Sequence, residues 1–374
     1  MSTKLRIFIA YSLDDDFDKD RGTVLGIINH FRKIKGLKVF WDGVLPPGKE
    51  FGERLKDFIA YSHVIVPIIS EKSLISGWVH QEVGYAVAMN IPVLPIALEN
   101  LSPVGLIDNL QAIYWNESQN KKKIFSINLF HELIDEHDNK NAPFTFTRER
   151  EERDAKIIQY TSLVGKLGKR NYGYLRNIGA LSFCAIPDEI ETAEVWQSFY
   201  GNATNHKRIR LGREERQELE IHALGAGFSL IINPEIIYDK EYGIGKLSRL
   251  RSLLNFLKNV QATNDKRNPN SRIKALIAFD SRLSMREHLT IIGDYFYAET
   301  LSAQARAGLR NTLFTRNAHV VKNKMEEFDE KLLLQLNKFD IQPEYSLKLS
   351  IKVINKFIEN PDAKLIEVMK NITH

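Results

Sequence analysis

A single cysteine, Cys184, stands in 374 residues, so no internal disulfide can form. A chain that folds without disulfides fits a reducing compartment. No apolar run approaches the roughly 18–20 residues that a membrane-spanning helix requires. The apolar stretch at residues 7–11 is too short for a secretory signal and runs directly into Asp14, Asp15 and Asp16. The expectation is a soluble, cytoplasmic protein with no membrane partner. Proline is scarce, at 12 residues, and charged residues make up 26%, a balance that excludes wholesale disorder. Against these absences stands a hydrophobic content of 43%, enough to build cores, on a length that suits two domains. The net charge of +5 is uneven: residues 1–118 hold 12 Lys and Arg against 14 Asp and Glu, and the remainder 40 against 33. The basic excess therefore belongs to the second part, where it permits an anionic partner without requiring one.

Along the first part, strand and helix patterns alternate with little slack. Residues 6–11 (RIFIAY), 38–41, 63–69 (HVIVPII), 92–98 (PVLPIAL) and 112–115 read as strands, and the near-continuous apolar run at 63–69 suits a central strand covered on both faces. Residues 23–35, 51–61, 78–89 and 119–136 carry helical spacing. Such alternation means a parallel α/β sheet wound on both faces, in the flavodoxin-like order 2-1-3-4-5. Ligands in these sheets bind beyond the carboxyl ends of the strands, near the point where the order reverses. The boundaries are set at 1–140 for this domain, 141–155 for a polar linker, and 156–374 for a second α/β or α+β domain. In that second part, residues 178–186, 228–232, 274–279 and 289–296 read as strands, and 246–260, 325–336 and 347–358 as helices.

Two segments stand where function belongs. The loop after the second strand, Trp41-Asp42-Gly43-Val44-Leu45-Pro46-Pro47-Gly48, is stiffened by its prolines, although an ordinary turn accounts for it equally well. After the third strand, Ser76-Gly77-Trp78-Val79-His80-Gln81-Glu82 opens a helix. Residues four apart share a helix face, so Trp78 and Glu82 stack one above the other. An aromatic plane beside a carboxylate suits a ligand with a flat base and a ribose, and a packed Trp beside a solvated Glu is the plainer alternative. Other uses of the fold meet direct objections. A phospho-receiver needs an Asp at the end of the third strand, where the chain has Ile68-Ile69-Ser70. A dinucleotide oxidoreductase needs G-x-G-x-x-G after the first strand, where Asp14, Asp15 and Asp16 would repel a pyrophosphate.

Taken together, the strand-one box at 7–12, the Pro–Gly loop, the strand HVIVPIIS and the helix WVHQEVGYAVAMNIPVLPI resemble the Toll/interleukin-1 receptor (TIR) domain family over residues 4–118. The loop keeps the acid and the Pro-Gly but lacks the common Arg before the Asp. The resemblance implies the prokaryotic NAD-cleaving type, in which the glutamate of W-x-x-x-E is catalytic. That glutamate maps onto Glu82. Trp78, Phe8, Tyr11, Ser12, Asp42, Pro47 and Gly48 are the implied substrate-binding residues. NAD is then the substrate, with no separate cofactor and no metal. The family also contains non-enzymatic scaffolds that act through the Pro–Gly loop, and enzymes that convert NAD into a cyclic ADP-ribose-type signal. Both remain as alternatives.

The second part is less legible. Lys207, Arg208 and Arg210, followed by Arg213 and Arg216, form a basic cluster that reads as a solvated face or an anion-binding patch. The segment 291–296 with Glu299, Arg310 and Arg316 weakly resembles the carboxyl half of phospholipase D-like domains without their H-x-K motif, since His319 is followed by Lys322. His131 and His137 lack the spacing of a zinc site, and Cys184 reads as a core residue. The combined expectation is a NAD glycohydrolase of prokaryotic anti-phage immunity. Its second domain would sense an unidentified ligand or partner and drive homo-oligomer assembly.

Overall fold

The computed structural model describes residues 4–16, 21–42, 51–115, 125–140, 144–167, 172–179, 206–235, 246–284, 287–304 and 309–373. The chain divides into two compact units, Met1–Pro143 and Phe144–His374.

The first unit holds a five-stranded parallel sheet. Its strands are β1 (Leu5–Ala10), β2 (Leu37–Trp41), β3 (Val64–Ile69), β4 (Ile96–Ala97) and β5 (Ile113–Tyr114), in the order β2-β1-β3-β4-β5. Every residue of β1 and β3 is buried. Parallel strands covered on both faces have no polar side to show, hence the unbroken apolar run of β3 and that of β1 apart from Arg6. Helices α1 (Arg21–Lys33), α2 (Phe51–Tyr61), α3 (Glu71–Ile75), α4 (Gly77–Ala88) and α5 (Ile127–Lys140) complete the unit. The strand expected at 92–98 shrinks to two residues. Pro92 and Pro95 have no N–H to give, so they serve only as acceptors, from Ile65 N at 3.0 Å and Ile113 N at 2.9 Å. Strand order reverses between β1 and β3, which places the ends of β1, β2 and β3 around the crevice where such sheets bind ligands.

The second unit is built on a seven-stranded mixed sheet ordered β6-β12-β11-β10-β7-β8-β9. Its strands are β6 (Phe144–Glu149), β7 (Leu175–Ile178), β8 (Phe228–Ile232), β9 (Ala275–Phe279), β10 (Leu289–Ile292), β11 (Phe296–Gln304) and β12 (Leu309–Thr315). Strands β7, β8 and β9 run parallel, and the other pairings are antiparallel. Around it lie α6 (Arg150–Lys166), α7 (His206–Ala226), α8 (Lys246–Asp265), α9 (Ala318–Lys338), α10 (Ser346–Glu359) and α11 (Leu365–Thr373).

Two sequence expectations are corrected here, and a third falls mostly outside the described residues. Residues 144–149, assigned to a linker, form edge strand β6, and α6 begins directly after it. The single strand at 289–296 is two strands joined by a turn, because Gly293 takes φ +55° and reverses the chain. Of the strand expected at 178–186, Ile178 falls in β7 (Leu175–Ile178), and residues 180–186, with Cys184, lie outside the described residues. Among the described residues no helix is long and apolar enough to cross a membrane.

Candidate functional site

Two serines fix the entry to the candidate site. Ser70, directly after β3, caps α3: its hydroxyl oxygen accepts from Ser73 N at 3.0 Å, and Ser70 N donates to Ser73 Oγ at 2.8 Å. The Ser70 hydroxyl also donates to the buried Asp15 carboxylate, at 3.0 and 2.9 Å, tying the loop after β1 to the end of β3. Ser76 then caps α4 by accepting from Val79 N at 3.4 Å. The cap sets the phase of α4, putting Trp78 in its first turn and Glu82 one turn later.

The buried residues of α4 are Val79, Glu82, Val83 and Ala86. Their spacing is the i, i+3, i+4, i+7 stripe by which a helix faces a core. Glu82 therefore occupies a core position on an otherwise apolar stripe, with 2% of its surface exposed. No hydrogen bond of ordinary geometry joins either carboxyl oxygen to a described residue. Asp42, the residue after β2, is also buried, and its Oδ2 accepts from the Trp78 indole N–H at 3.1 Å. Burial pushes the Glu82 carboxyl up to about 10; the Asp42 carboxylate pushes the same way and the Trp78 N–H offsets a little. Glu82 is thus a neutral acid at pH 7.

Of the residues expected at the site, Glu82, Trp78 and Asp42 come together. Tyr11 and Ser12 are buried just beyond the end of β1, at the same carboxyl edge of the sheet. Phe8 lies in mid-strand, fully buried and in register with Phe40 and Ile65, which makes it a core residue of the sheet. Pro47 and Gly48 lie outside the described residues. Sequence reasoning passed over Asp15 as a site-edge anchor, since its burial depends on the Ser70 hydroxyl 55 residues along the chain. A cavity of about 160 Å³ lies along α4 beside Leu74, Val83 and Leu106. Its lining includes none of Glu82, Trp78 and Asp42, so it is separate from this site.

Elsewhere, buried His222 has structural employment. His222 on α7 accepts from Gly173 N through Nδ1 at 2.9 Å, which leaves its Nε2 to donate to Thr161 O on α6 at 2.9 Å. Burial lowers its pKa, and it stands as a neutral clip between helices. The basic cluster of the second part falls on α7, where Arg216 pairs with Glu220 at 2.8 Å and Arg210 approaches Glu214 at 3.7 Å. Among the described residues no group of three or more His, Cys, Asp or Glu could hold a metal ion.

Residues 7–128 match the family described as TIR domain. No curated protein matches the chain. Among solved structures, the TIR domain of the Toll-related receptor TRR-2 from the lower metazoan Hydra magnipapillata is similar at 17% identity and a TM-score of 0.27, covering 34% of this chain and 96% of that one. TrmBL2, an archaeal chromatin protein, is similar at 9% identity and a TM-score of 0.27; the match covers 55% of this chain and 61% of that one, less than two thirds of its length. Neither likeness speaks to activity. The β2-β1-β3-β4-β5 sheet and the family match agree on one point: residues 7–128 are a TIR domain.

Proposed function

We propose that the TIR domain of this chain hydrolyses NAD at the nicotinamide–ribose bond, and that residues 144–374 sense a signal and drive assembly of several copies into the active form. TIR domains include NAD-cleaving enzymes. One observation carries the reading. Glu82 sits on the apolar stripe of α4, 2% exposed, with neither oxygen in a hydrogen bond of ordinary geometry to a described residue. Burying a carboxyl there costs the fold its hydration, a cost that a bound ligand would justify.

The chemistry suits the group. When the bond between the pyridinium nitrogen and the ribose carbon breaks, the electron pair leaves with nicotinamide, which becomes neutral. The ribose carbon takes on oxocarbenium character until water adds and a proton is released, giving ADP-ribose. An ionised Glu82 stabilises that cation, and Trp78 offers a ring face to the departing base. Two unit charges about 4 Å apart at an effective dielectric of about 20 interact by about 4 kcal/mol, a scale that corresponds to roughly a thousandfold in rate. The system fits a self-toxic effector of prokaryotic anti-phage defence, silent until triggered.

The test is nicotinamide release from NAD by the full-length protein, with and without candidate ligands. Glu82→Ala should cut turnover about a thousandfold, whereas Trp78→Ala should mainly raise KM. Undiminished activity in Glu82→Ala would remove the catalytic assignment. Chromatography of the products distinguishes ADP-ribose from a cyclised signal. An absence of turnover under every condition would leave a scaffold that acts through the loop containing Pro47 and Gly48.

A further inference from the structure

We propose that Asp42 and Glu82 act as one buried dicarboxylate that selects a cationic pyridinium ring over a neutral ring of the same shape, and releases a proton on binding it. The inference rests on the reading of the site given above and adds to it a specificity-determining residue and a proton count.

Three features of the site carry it. Asp42 accepts the Trp78 indole N–H at 3.1 Å, so its carboxylate is held beside the aromatic plane on which a flat ring would stack. Glu82, one turn along α4, is 2% exposed, and neither of its oxygens makes a hydrogen bond of ordinary geometry to a described residue. The two carboxyls also feel each other: Asp42 is the charged group that acts on Glu82. The other elements packed on α4 bring few rivals. From β1 comes Arg6, whose Nε donates to Tyr61 O at 2.9 Å near the opposite end of the strand. From α2 come the exposed Arg54 and Lys56 and the half-buried Asp57 and buried Tyr61, and from α4 itself the exposed His80 and half-buried Tyr85. None of these is among the groups that set the protonation of Glu82. Strand β3 and the turn Gly105–Ile107 bring no titratable group.

Two carboxyls so close in a poorly solvated place hold one proton between them, because both cannot ionise without a counter-charge. A pyridinium ring supplies that charge, and a neutral nicotinamide ring does not. Binding the cation therefore favours ionisation of Glu82, and the proton it held goes to solvent. By linkage, affinity for the cation rises with pH for as long as the free site keeps that proton. The same step leaves Glu82 in the ionised form that bond cleavage needs.

The experiment is titration calorimetry of the full-length protein with 1-methylnicotinamide, a pyridinium cation, and with neutral nicotinamide. It is run in two buffers of different ionisation heat at pH 7 and pH 8. Wild type should bind the cation at least tenfold more tightly than the neutral ring and release close to one proton per cation bound. Its cation affinity should rise toward tenfold over the pH unit. Asp42→Asn keeps an acceptor for the Trp78 N–H and should lose most of the preference. Glu82→Gln should abolish the proton release. Equal affinities, no binding of the cation, full preference in D42N, or proton release persisting in E82Q would each overturn the proposal. The wild-type preference and proton count need no variant, so they decide the matter even if D42N fails to fold. Nicotinamide release from NAD is followed in the same samples. Cleavage without cation preference removes the dicarboxylate and keeps the enzyme, and cation preference without cleavage does the reverse.

Discussion

Burial is the largest of the causes that keep Glu82 protonated, because an ionised carboxylate there would lose its hydration; the Asp42 carboxylate adds to it and the Trp78 N–H offsets only a little. The consequence reaches stability. The carboxyl holds its proton up to about pH 10 in the folded chain and only to about 4.5 as a model group. The native state therefore binds more protons than the unfolded one throughout that window, and stability falls as pH rises, by up to about 1.4 kcal/mol per pH unit. This contribution is whole below about pH 4.5 and is lost on passing through about pH 10. Glu82→Gln keeps the shape and removes the titration, so its midpoint for unfolding of the first unit should exceed that of wild type by a margin that widens from pH 5 to pH 9. Urea unfolding at a series of pH values checks this, and a constant or shrinking margin would contradict it. Much of the site was legible at this scale. The W-x-x-x-E spacing marked Trp78 and Glu82, and the structure decides against the plainer alternative of a solvated Glu by placing Glu82 on the buried stripe Val79, Glu82, Val83, Ala86. The tie between Trp78 and Asp42 was not legible, since it joins residues 36 apart that only the β2–β1–β3 arrangement brings together.

Among the elements, α6 and α7 pack against each other across a buried ionic knot. Arg153 Nη1 donates to Asp154 at 2.6 Å and to both Glu215 oxygens at 2.9 and 3.0 Å. Burial works to raise the Asp154 carboxyl, and Arg150 and Arg153 overcome it and hold it below its ordinary range. Glu215 is pushed up to about 7 by burial, against the pull of Arg153. Arg153→Ala would leave the buried Asp154 and the half-buried Glu215 without their shared cation and should destabilise the second unit by about 3–5 kcal/mol. Denaturant unfolding followed by far-UV circular dichroism measures this, and a loss under about 1 kcal/mol would show that the knot relaxes into solvent. Legibility divides the two sheets for a related reason. Buried parallel strands such as β3, apolar throughout, and β8, apolar but for Ser229, read plainly from sequence. Strands β11 (FYAETLSAQ) and β12 (LRNTLFT) are half polar, and they owe their state to antiparallel partners far along the chain, as with Thr312 beside Thr147. Local pattern does not carry that information.

For the whole molecule, the resting site poses a question of supply. Glu82 is 2% exposed and neutral at pH 7, so a lone chain holds its acid both covered and in the wrong protonation state for stabilising a ribose cation. A proposed effector that must stay silent until triggered can use that barrier, provided that something uncovers the site. Self-association supplies the energy: a copy that docks only on the open form shifts the closed–open balance by mass action, and the shift grows with concentration. Two states separated by a few kcal/mol leave the open form at roughly 0.1–10% of a dilute population. Activation by assembly can therefore reach a factor between about ten and a thousand. The expected result is NAD cleavage per chain that climbs steeply over a hundredfold rise in protein concentration, in step with a larger species seen by sedimentation velocity. Glu82→Gln should assemble at least as readily, because it removes the titration and not the docking surface, while releasing no nicotinamide. Specific activity that stays flat across the same range, with the protein monomeric throughout, would mean that the site opens within a single chain and that assembly is not the trigger.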